Sequence, residues 1–326
     1  MELSLVIPVW NDPTGLDRLL RQVAELGLFA EVIVVDDASD EPLGPDVLPA
    51  AAALADRIVW LRSDHQRGAG HARNMGLDRA SGSHVIFFDS DDLFAVDFPV
   101  IAAHAAAEAE PFDFLIFRHD DSRMLDMGGR GTFPEEEKYW RSVGATNEPT
   151  ELTSAHAAML CQLSAYPWNK IYRTSFLRDN SIRCTETMVH NDVELHWSSF
   201  VTARRILACA LTGATHFVQD GGGRLTNRRS ADRLDVFRTF ENVMPRIAAG
   251  AEHDRLSFLL PFVRFTSNLI AWVSRNIDDD HHPELLARAQ RYFLTSLDRR
   301  LMTIIAYADP ELAQKINRFV RQGALP

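Results

Sequence analysis

The chain has 326 residues, 46% of them apolar and 24% charged, which are the proportions of an ordinary soluble globular protein. This length allows one large domain or two moderate ones, each with a real hydrophobic core. The net charge of −11 argues against nonspecific binding to nucleic acid or to anionic lipid as the main function.

The cysteines and the apolar runs bear on where the protein works. The chain has three cysteines, Cys161, Cys184 and Cys209. Because their number is odd and their spacing is not that of a metal site, we expect three reduced thiols. The amino terminus has no basic region before its short apolar run, so it does not resemble a signal peptide. No segment reaches about 18 consecutive apolar residues, the length of a membrane-spanning helix. These features predict a cytoplasmic protein without a membrane span.

Short apolar runs alternate with helical patterns over the first hundred residues. The runs typical of strands are 3–10, 31–35, 57–61, 84–88 and 112–117. The helical patterns between them are 13–28, 47–55 and 71–80. Because each run is apolar throughout, its strand should be buried on both faces, which indicates a parallel sheet covered by helices.

The pattern changes after the fifth predicted strand. Residues 121–150 are polar and predict an exposed excursion, 151–230 are irregular, and 231–326 are almost entirely helical. The apolar residues of this last stretch are expected to form core, although a dimer interface or a contact with the membrane surface stays open. Those at helical spacings are Phe258, Leu259, Phe262, Phe265, Leu269 and Trp272.

Three carboxylates follow the fourth predicted strand, in the run Asp89-Ser90-Asp91-Asp92. Close anions repel unless water, donors or a cation stabilise them. Open α/β sheets bind ligands at the carboxyl ends of their strands, where Mg²⁺ or Mn²⁺ can bridge carboxylates to the phosphates of a substrate. Asp89 and Asp91 share a face of an extended segment, and Asp92 can supplement them. A solvated acidic turn is the alternative.

A second acidic pair, Asp36-Asp37, follows the second predicted strand. A carboxylate at this place can accept a hydrogen bond from a nucleobase N–H or a ribose hydroxyl. Asp and Ser also favour turns and helix N-caps, so turn chemistry is the alternative.

The segment 67–74 places Gly68 and Gly70 ahead of a predicted helix. A dinucleotide-binding fingerprint fails here, because Arg73 occupies the third glycine position and the motif follows the third strand. A helix amino terminus flanked by Arg67 and Arg73 suits an anionic phosphate. Glycines in a tight turn, with solvated arginines, are the alternative.

Asp192 precedes an amphipathic helical pattern and is a candidate general base for an attacking hydroxyl. Asn191 or Asp192 as a helix N-cap is the alternative, and both roles are compatible because a cap fixes a carboxylate. The glycine-rich stretch 221–223 could close over a diphosphate or be a plain exposed loop. The histidines of this half are expected to be packed or solvated: His156, His190, His196 and His216.

Four motifs occur in a fixed order: LVIPVWN at 5–11, VVDDASD at 34–40, GAGHARN at 68–74 and FDSDD at 88–92. Together they resemble the family-two inverting glycosyltransferases of the GT-A fold. PWNKIY at 167–172 and Asn191-Asp192 are similar to segments of bacterial capsule, lipopolysaccharide and teichoic-acid members. The resemblance is strong over 1–120, fair over 150–230 and absent beyond.

The resemblance implies an α/β fold of the GT-A type: a Rossmann-like, mostly parallel sheet flanked by helices, followed by a C-terminal helical region. It implies a nucleotide-sugar-binding half over 1–120 and an acceptor-binding half over 121–230, with the helical region over 231–326.

Roles for the nucleotide-binding residues also follow from the resemblance. Asp36 and Asp37 would contact the nucleobase, in a pocket lined by Pro8 and Trp10. The glycine motif would lie beside the nucleotide through two of its residues, Gly70 and Arg73.

The resemblance also implies roles for the acidic residues. Asp89 and Asp91 would hold the ribose and the metal ion, Mn²⁺ or Mg²⁺, with Asp92 close to the donor sugar. Asp192 would be the catalytic base. The family usually has Glu-Asp at this last site, so Asn191 removes a carboxylate and changes the electrostatics beside the base.

The implied activity is metal-dependent, inverting transfer of a hexosyl or N-acetylhexosaminyl group from a nucleotide sugar, with UDP expected from the family. The acceptor would be a hydroxyl of a glycan, lipid-linked or polyol-phosphate molecule in bacterial surface-polysaccharide synthesis. Peripheral contact with the inner face of the membrane and a homo-oligomer through the C-terminal helices stay open. The rivals are a non-catalytic assembly protein of the same fold and a sugar nucleotidyltransferase. The second should have a glycine-rich, basic loop after strand one, where this chain has Trp10-Asn11-Asp12-Pro13.

Overall fold

The computed structural model describes residues 1–218, 229–249 and 252–322, and its first third alternates strands with helices as predicted. The strands are β1 (Leu3–Val9), β2 (Glu31–Asp36), β3 (Ile58–Arg62), β4 (His84–Phe87) and β5 (Leu93–Phe94). The helices are α1 (Pro13–Leu26), α2 (Ala69–Arg79) and α3 (Phe98–Ala107). The predicted helix over 47–55 is a short 3-10 helix, Pro49–Leu54.

The middle of the chain completes the sheet. Its strands are β6 (Phe114–Asp121), β7 (Thr150–Glu151), β8 (Lys170–Arg173) and β9 (Ile206–His216). Its helices are α4 (Ser122–Asp126), α5 (Pro134–Val143), α6 (Ser154–Leu160), α7 (Thr174–Asp179) and α8 (Val193–Thr202). The expected exposed excursion over 121–150 is wrong in part. Trp140 and Val143, three residues apart on one face of α5, are only 4% and 5% exposed and belong to the core.

The strands form one sheet in the order β3-β2-β1-β4-β8-β6-β9-β5, with β7 paired to β9. The strands β1 to β4 are mutually parallel, β8 runs antiparallel between β4 and β6, and β9 is parallel to β6. Every residue of β1 and β2 is buried, as strands covered on both faces require. The carboxyl ends of β1, β2, β4, β6 and β9 therefore meet at one edge, where the acidic motifs lie.

Within the described residues, five α-helices follow the sheet and complete the core on one of its faces. They are α9 (Val236–Ala248), α10 (Leu259–Asn276), α11 (His282–Ser296), α12 (Arg299–Ala308) and α13 (Pro310–Gln322). Phe262 and Ile270 of α10 are fully buried and belong to the same hydrophobic cluster as Phe87 of β4. Most of the predicted apolar face is therefore core, whereas Trp272 stays 38% exposed. The division of the chain into three functional regions stays a prediction.

One segment of the described chain, Arg255–Asn276, is long and apolar enough to cross a membrane by length and composition. Half of its most apolar window is buried inside the protein. The ring of Phe262 packs edge-on against Trp197 of α8, with centroids 4.9 Å apart. Packing within the protein thus accounts for the buried half of this apolar window.

Candidate functional site

The loops after β1 and β2 are strained and tied to each other. Asn11 and Ala38 have φ angles of 50° and 60°, a left-handed conformation that non-glycine residues rarely adopt. The backbone N–H of Asn11 donates to Ser39 Oγ at 2.9 Å, and the N–H of Asp40 donates to Asn11 Oδ1 at 2.9 Å. Loops held in such conformations are frequent at functional sites.

Asp36 and Asp37 are both buried at the end of β2, where their carboxylates bind backbone groups. Asp36 accepts the N–H of Ser39 at 2.8 Å and pairs with the Arg62 guanidinium. Asp37 accepts the N–H of Gly68 at 2.6 Å. The turn chemistry that the sequence left as an alternative is therefore present. Contact of either carboxylate with a nucleobase stays a prediction.

Pro8 and Trp10, the predicted lining of the nucleobase pocket, stand beside this pair. Pro8 is buried in β1 opposite Val35 of β2, and Trp10 is partly exposed just beyond the strand. Trp10 is therefore the one of the two with an accessible surface at the sheet edge.

Directly before the amino terminus of α2, Asp37 accepts the N–H groups of both Arg67 and Gly68. Gly68 needs a left-handed φ of 89° to present its N–H in this way. The phosphate site expected at the first turn of α2 stays a prediction. Gly70 lies against the segment before Asp192, where a Cβ would be 2.4 Å from Thr185 O and 2.7 Å from Asn191 Cβ.

Arg73 joins the aspartate run to the segment before Asp192. Its guanidinium is buried, donates to Asn191 Oδ1 at 2.7 Å, and forms an ion pair with Asp89. Asn191 thus fills the place of the family's glutamate with a neutral acceptor for this arginine. Contact of Gly70 or Arg73 with the nucleotide stays a prediction.

The members of the aspartate run have different environments. Asp89 and Asp91 are partly exposed, whereas Asp92 is fully buried. Ser90 Oγ donates to Asp12 Oδ2 at 2.9 Å, and Asp12 also caps the first turn of α1. This anchoring fixes the run against the loop after β1 and leaves Asp89 and Asp91 as the accessible oxygen donors.

His216, at the end of β9, is a site residue that sequence reasoning missed. Its Nδ1 lies 3.0 Å from Asp92 Oδ1, and the N–H of Phe217 donates to the same oxygen at 2.8 Å. Burial lowers the pKa of His216, but Asp92, together with Asp121 and Asp91, raises it, so the net pKa is above its usual value. The ring also stacks on Trp168, with centroids 5.5 Å apart. The glycine-rich stretch 221–223 that follows lies outside the described residues.

Asp192 stands directly before α8 and accepts no capping hydrogen bond with its side chain. Burial, and to a smaller extent Asp89, raise the pKa of its carboxyl to about 6 against the opposing effects of Arg73 and the buried Lys170. A carboxyl group whose pKa lies near the working pH is suited to general-base catalysis. The side-chain capping expected as an alternative is absent, although the residue occupies the cap position.

The metal hypothesis can be checked against the donor set. Among the residues that the structure describes, no group of three or more His, Cys, Asp or Glu side chains could hold an ion. Magnesium-type sites commonly use one or two carboxylates and complete their octahedron with substrate phosphates and water. Asp89 and Asp91 therefore fit an ion that binds together with a diphosphate, and do not form a closed protein cage.

Comparison with known proteins agrees with this arrangement. A family model described as Glycosyl transferase family 2 matches residues 4–159. Poly(ribitol-phosphate) beta-N-acetylglucosaminyltransferase TarS of Staphylococcus aureus (strain Mu50) is 29% identical over 213 residues, 63% of this chain and 34% of TarS. The chain thus spans about a third of the length of this relative.

Two solved structures share the fold. The crystal structure of S. aureus TarS 1-349 in complex with UDP-GlcNAc has a TM-score of 0.72 at 19% identity, over 99% of this chain and 92% of that one. The crystal structure of GalNAc-T7 with UDP, GalNAc and Mn²⁺ has a TM-score of 0.50 at 15% identity, over 74% of this chain and 48% of that one. Residues 4–159 thus match the model of glycosyl transferase family 2, and the likeness to the TarS structure shows that the chain has the GT-A fold.

Proposed function

We propose that this chain transfers a sugar from a nucleotide-sugar donor to an acceptor hydroxyl, with inversion at the anomeric carbon. The observation that carries the proposal is a connected pair of carboxylates. Arg73 binds Asp89 with one end of its guanidinium and Asn191, the neighbour of Asp192, with the other. This link would hold the proposed leaving-group site and the proposed base at a fixed separation.

The donor would bind along the carboxyl edge of the sheet. Asp36, Asp37, Pro8 and Trp10 are the proposed contacts of the nucleobase, and Asp92 would lie near the donor sugar. Asp89 and Asp91 would hold Mn²⁺ or Mg²⁺, which when bound stabilises the charge on the departing diphosphate as a Lewis acid. Support comes from the accessible position of these two carboxylates and from the Mn²⁺ named with GalNAc-T7.

Asp192 would accept the proton of the acceptor hydroxyl as its oxygen attacks the anomeric carbon. The bond to the new sugar forms while the bond to the diphosphate breaks, and attack opposite the leaving group inverts the configuration. A positioned base of this kind contributes about 10²- to 10⁴-fold to the rate. No covalent intermediate with the protein is required.

The proposed classes of donor and acceptor rest on what similar proteins are named for. TarS is named for transfer of N-acetylglucosamine to poly(ribitol-phosphate), and its structure is described with UDP-GlcNAc. We therefore propose a UDP-linked hexose or N-acetylhexosamine as donor. The proposed acceptor is a glycan, lipid-linked or polyol-phosphate hydroxyl of bacterial surface polysaccharide. A cytoplasmic location, contact with the inner membrane face and oligomerisation through the C-terminal helices stay predictions.

A nucleoside-diphosphate release screen tests the activity. The purified chain with Mn²⁺ or Mg²⁺ is offered a panel of nucleotide sugars, each with and without a polyol-phosphate or glycan acceptor. Release of UDP that the acceptor stimulates is expected. Absence of release with every donor and acceptor would favour the non-catalytic assembly protein. Release of pyrophosphate from a nucleoside triphosphate and a sugar phosphate would favour the nucleotidyltransferase.

The pH dependence of transfer should report Asp192. Since burial raises the pKa of this carboxyl to about 6, kcat/KM should rise with pH through a limb near 6, because only the ionised carboxylate accepts a proton. An ordinary aspartate would place this limb about two units lower. The measurement is kcat/KM for the donor between acidic and neutral pH, with Asp192→Asn as the control that should lose the limb. A profile flat across this range would contradict the assignment.

A further inference from the structure

The loop of residues 184–191 carries the chain into Asp192 and has no helix or strand of its own. Its position is set by α2, which packs along it. Gly70 leaves room for Thr185 and Asn191, and Arg73 holds the Asn191 side chain. The first turns of α2 therefore face this loop and not the solvent.

Asn74 of α2 holds the other end of the loop. Its amide nitrogen donates to Cys184 O at 2.9 Å, and its Oδ1 accepts the N–H of Cys184 at 3.0 Å. This pairing satisfies both backbone groups of one residue, as a neighbouring β-strand would. The amide nitrogen also reaches Glu186 Oε1 at 3.3 Å. Because Asn74 is only 5% exposed and both its polar atoms are engaged, a direct contact with substrate is not its role.

A short path of backbone bonds joins Cys184 to the base. The N–H of the next residue, Thr185, donates to Asn191 O at 3.1 Å, which ties the two ends of the loop together. The Thr185 hydroxyl donates to Glu194 Oε2 at 2.5 Å, in the first turn of α8. A displacement of Cys184 therefore moves the residue that precedes Asp192, without a flexible side chain to absorb it.

We infer that Asn74 is a positioning residue for sugar transfer, which sets the place of the Asp192 carboxylate through the 184–191 loop. The inference rests on the proposed role of Asp192 as the base. Asn74, the final residue of the GAGHARN motif, would thus position the base and not contact the nucleotide. A misplacement of about 1 Å at a reacting group can cost on the order of 10²-fold in rate.

The substitution Asn74→Asp tests this role, because it keeps the size and one acceptor oxygen but replaces the amide donor with an oxygen facing Cys184 O. With UDP-N-acetylglucosamine and Mn²⁺, kcat for UDP release should fall about 10- to 100-fold. The Kd for UDP, measured by calorimetry, should change by less than about twofold, since Asn74 does not touch the donor site. Asn180→Asp is the matched control: its amide donates to Phe176 O at 2.8 Å beside α7, and kcat should stay unchanged.

A double-mutant cycle separates positioning from general damage. If Asn74 acts through Asp192, adding Asn74→Asp to Asp192→Asn should lower the residual rate by less than about twofold. Multiplication of the two single losses, or a loss of UDP affinity equal to the loss of kcat, would overturn the inference. Full transfer by Asp192→Asn would instead overturn the proposed base. If Asn74→Asp does not fold, Asn74→Ser removes the same paired bonds with a neutral side chain and carries the same expectations.

Discussion

Asp192→Asn is expected to lower the rate of sugar transfer by about 10²- to 10⁴-fold while the affinity for the nucleotide stays nearly constant. Asparagine has the same shape as aspartate, but its amide does not take up the proton of the attacking hydroxyl. The Asp192 carboxylate makes no capping hydrogen bond, so its replacement removes none from the start of α8. The measurement is the steady-state rate of nucleoside-diphosphate release, together with the Kd for UDP.

The structure offers a close control for this substitution. Asp235 is also the residue before a helix, α9, is partly buried, and accepts no capping hydrogen bond with its side chain. Asp235→Asn should therefore leave both transfer and binding unchanged. If Asp192→Asn reduced nucleotide binding and transfer by the same factor, a structural role at the start of α8 would replace the catalytic one.

The strands of residues 1–120 were predictable because burial on both faces leaves a continuous apolar run. The runs at 3–10 and 31–35 correspond to β1 and β2, within one residue at their carboxyl ends. Since parallel strands end at the same edge, the acidic residues that follow them could be placed together without knowledge of the remaining sheet. Asp37 and Asp89 follow this rule.

The site residues that sequence reasoning missed depend on contacts between distant segments. His216 reaches Asp92 only because β9 pairs with both β5 and β6, an arrangement that no local pattern specifies. In the same way, Gly70 and Arg73 read locally as a phosphate-binding turn, and their contacts with Asn191 follow from how the 184–191 loop packs on α2. The burial of Trp140 within a polar stretch has the same origin, since it requires the partner surface.

Asp91→Ala is expected to weaken metal binding, whereas Asp192→Asn is expected to leave it unchanged. Asp91→Ala removes one of two accessible carboxylates at the end of β4, and the remaining carboxylate, Asp89, is already paired with Arg73. Lewis-acid stabilisation is worth several kcal/mol, so UDP release should fall by about 10²-fold or more at fixed Mn²⁺. Binding of Mn²⁺ in the presence of UDP, followed by its paramagnetic signal, should weaken in Asp91→Ala and persist in Asp192→Asn.

The difference between these two variants separates the leaving-group side of the reaction from the acceptor side. Asp97→Ala controls for the loss of a carboxylate in the same region: Asp97 precedes α3, is partly buried and makes no side-chain cap. It should retain both turnover and Mn²⁺ binding. Unchanged turnover and metal affinity in Asp91→Ala would show that the metal does not bind at this edge of the sheet.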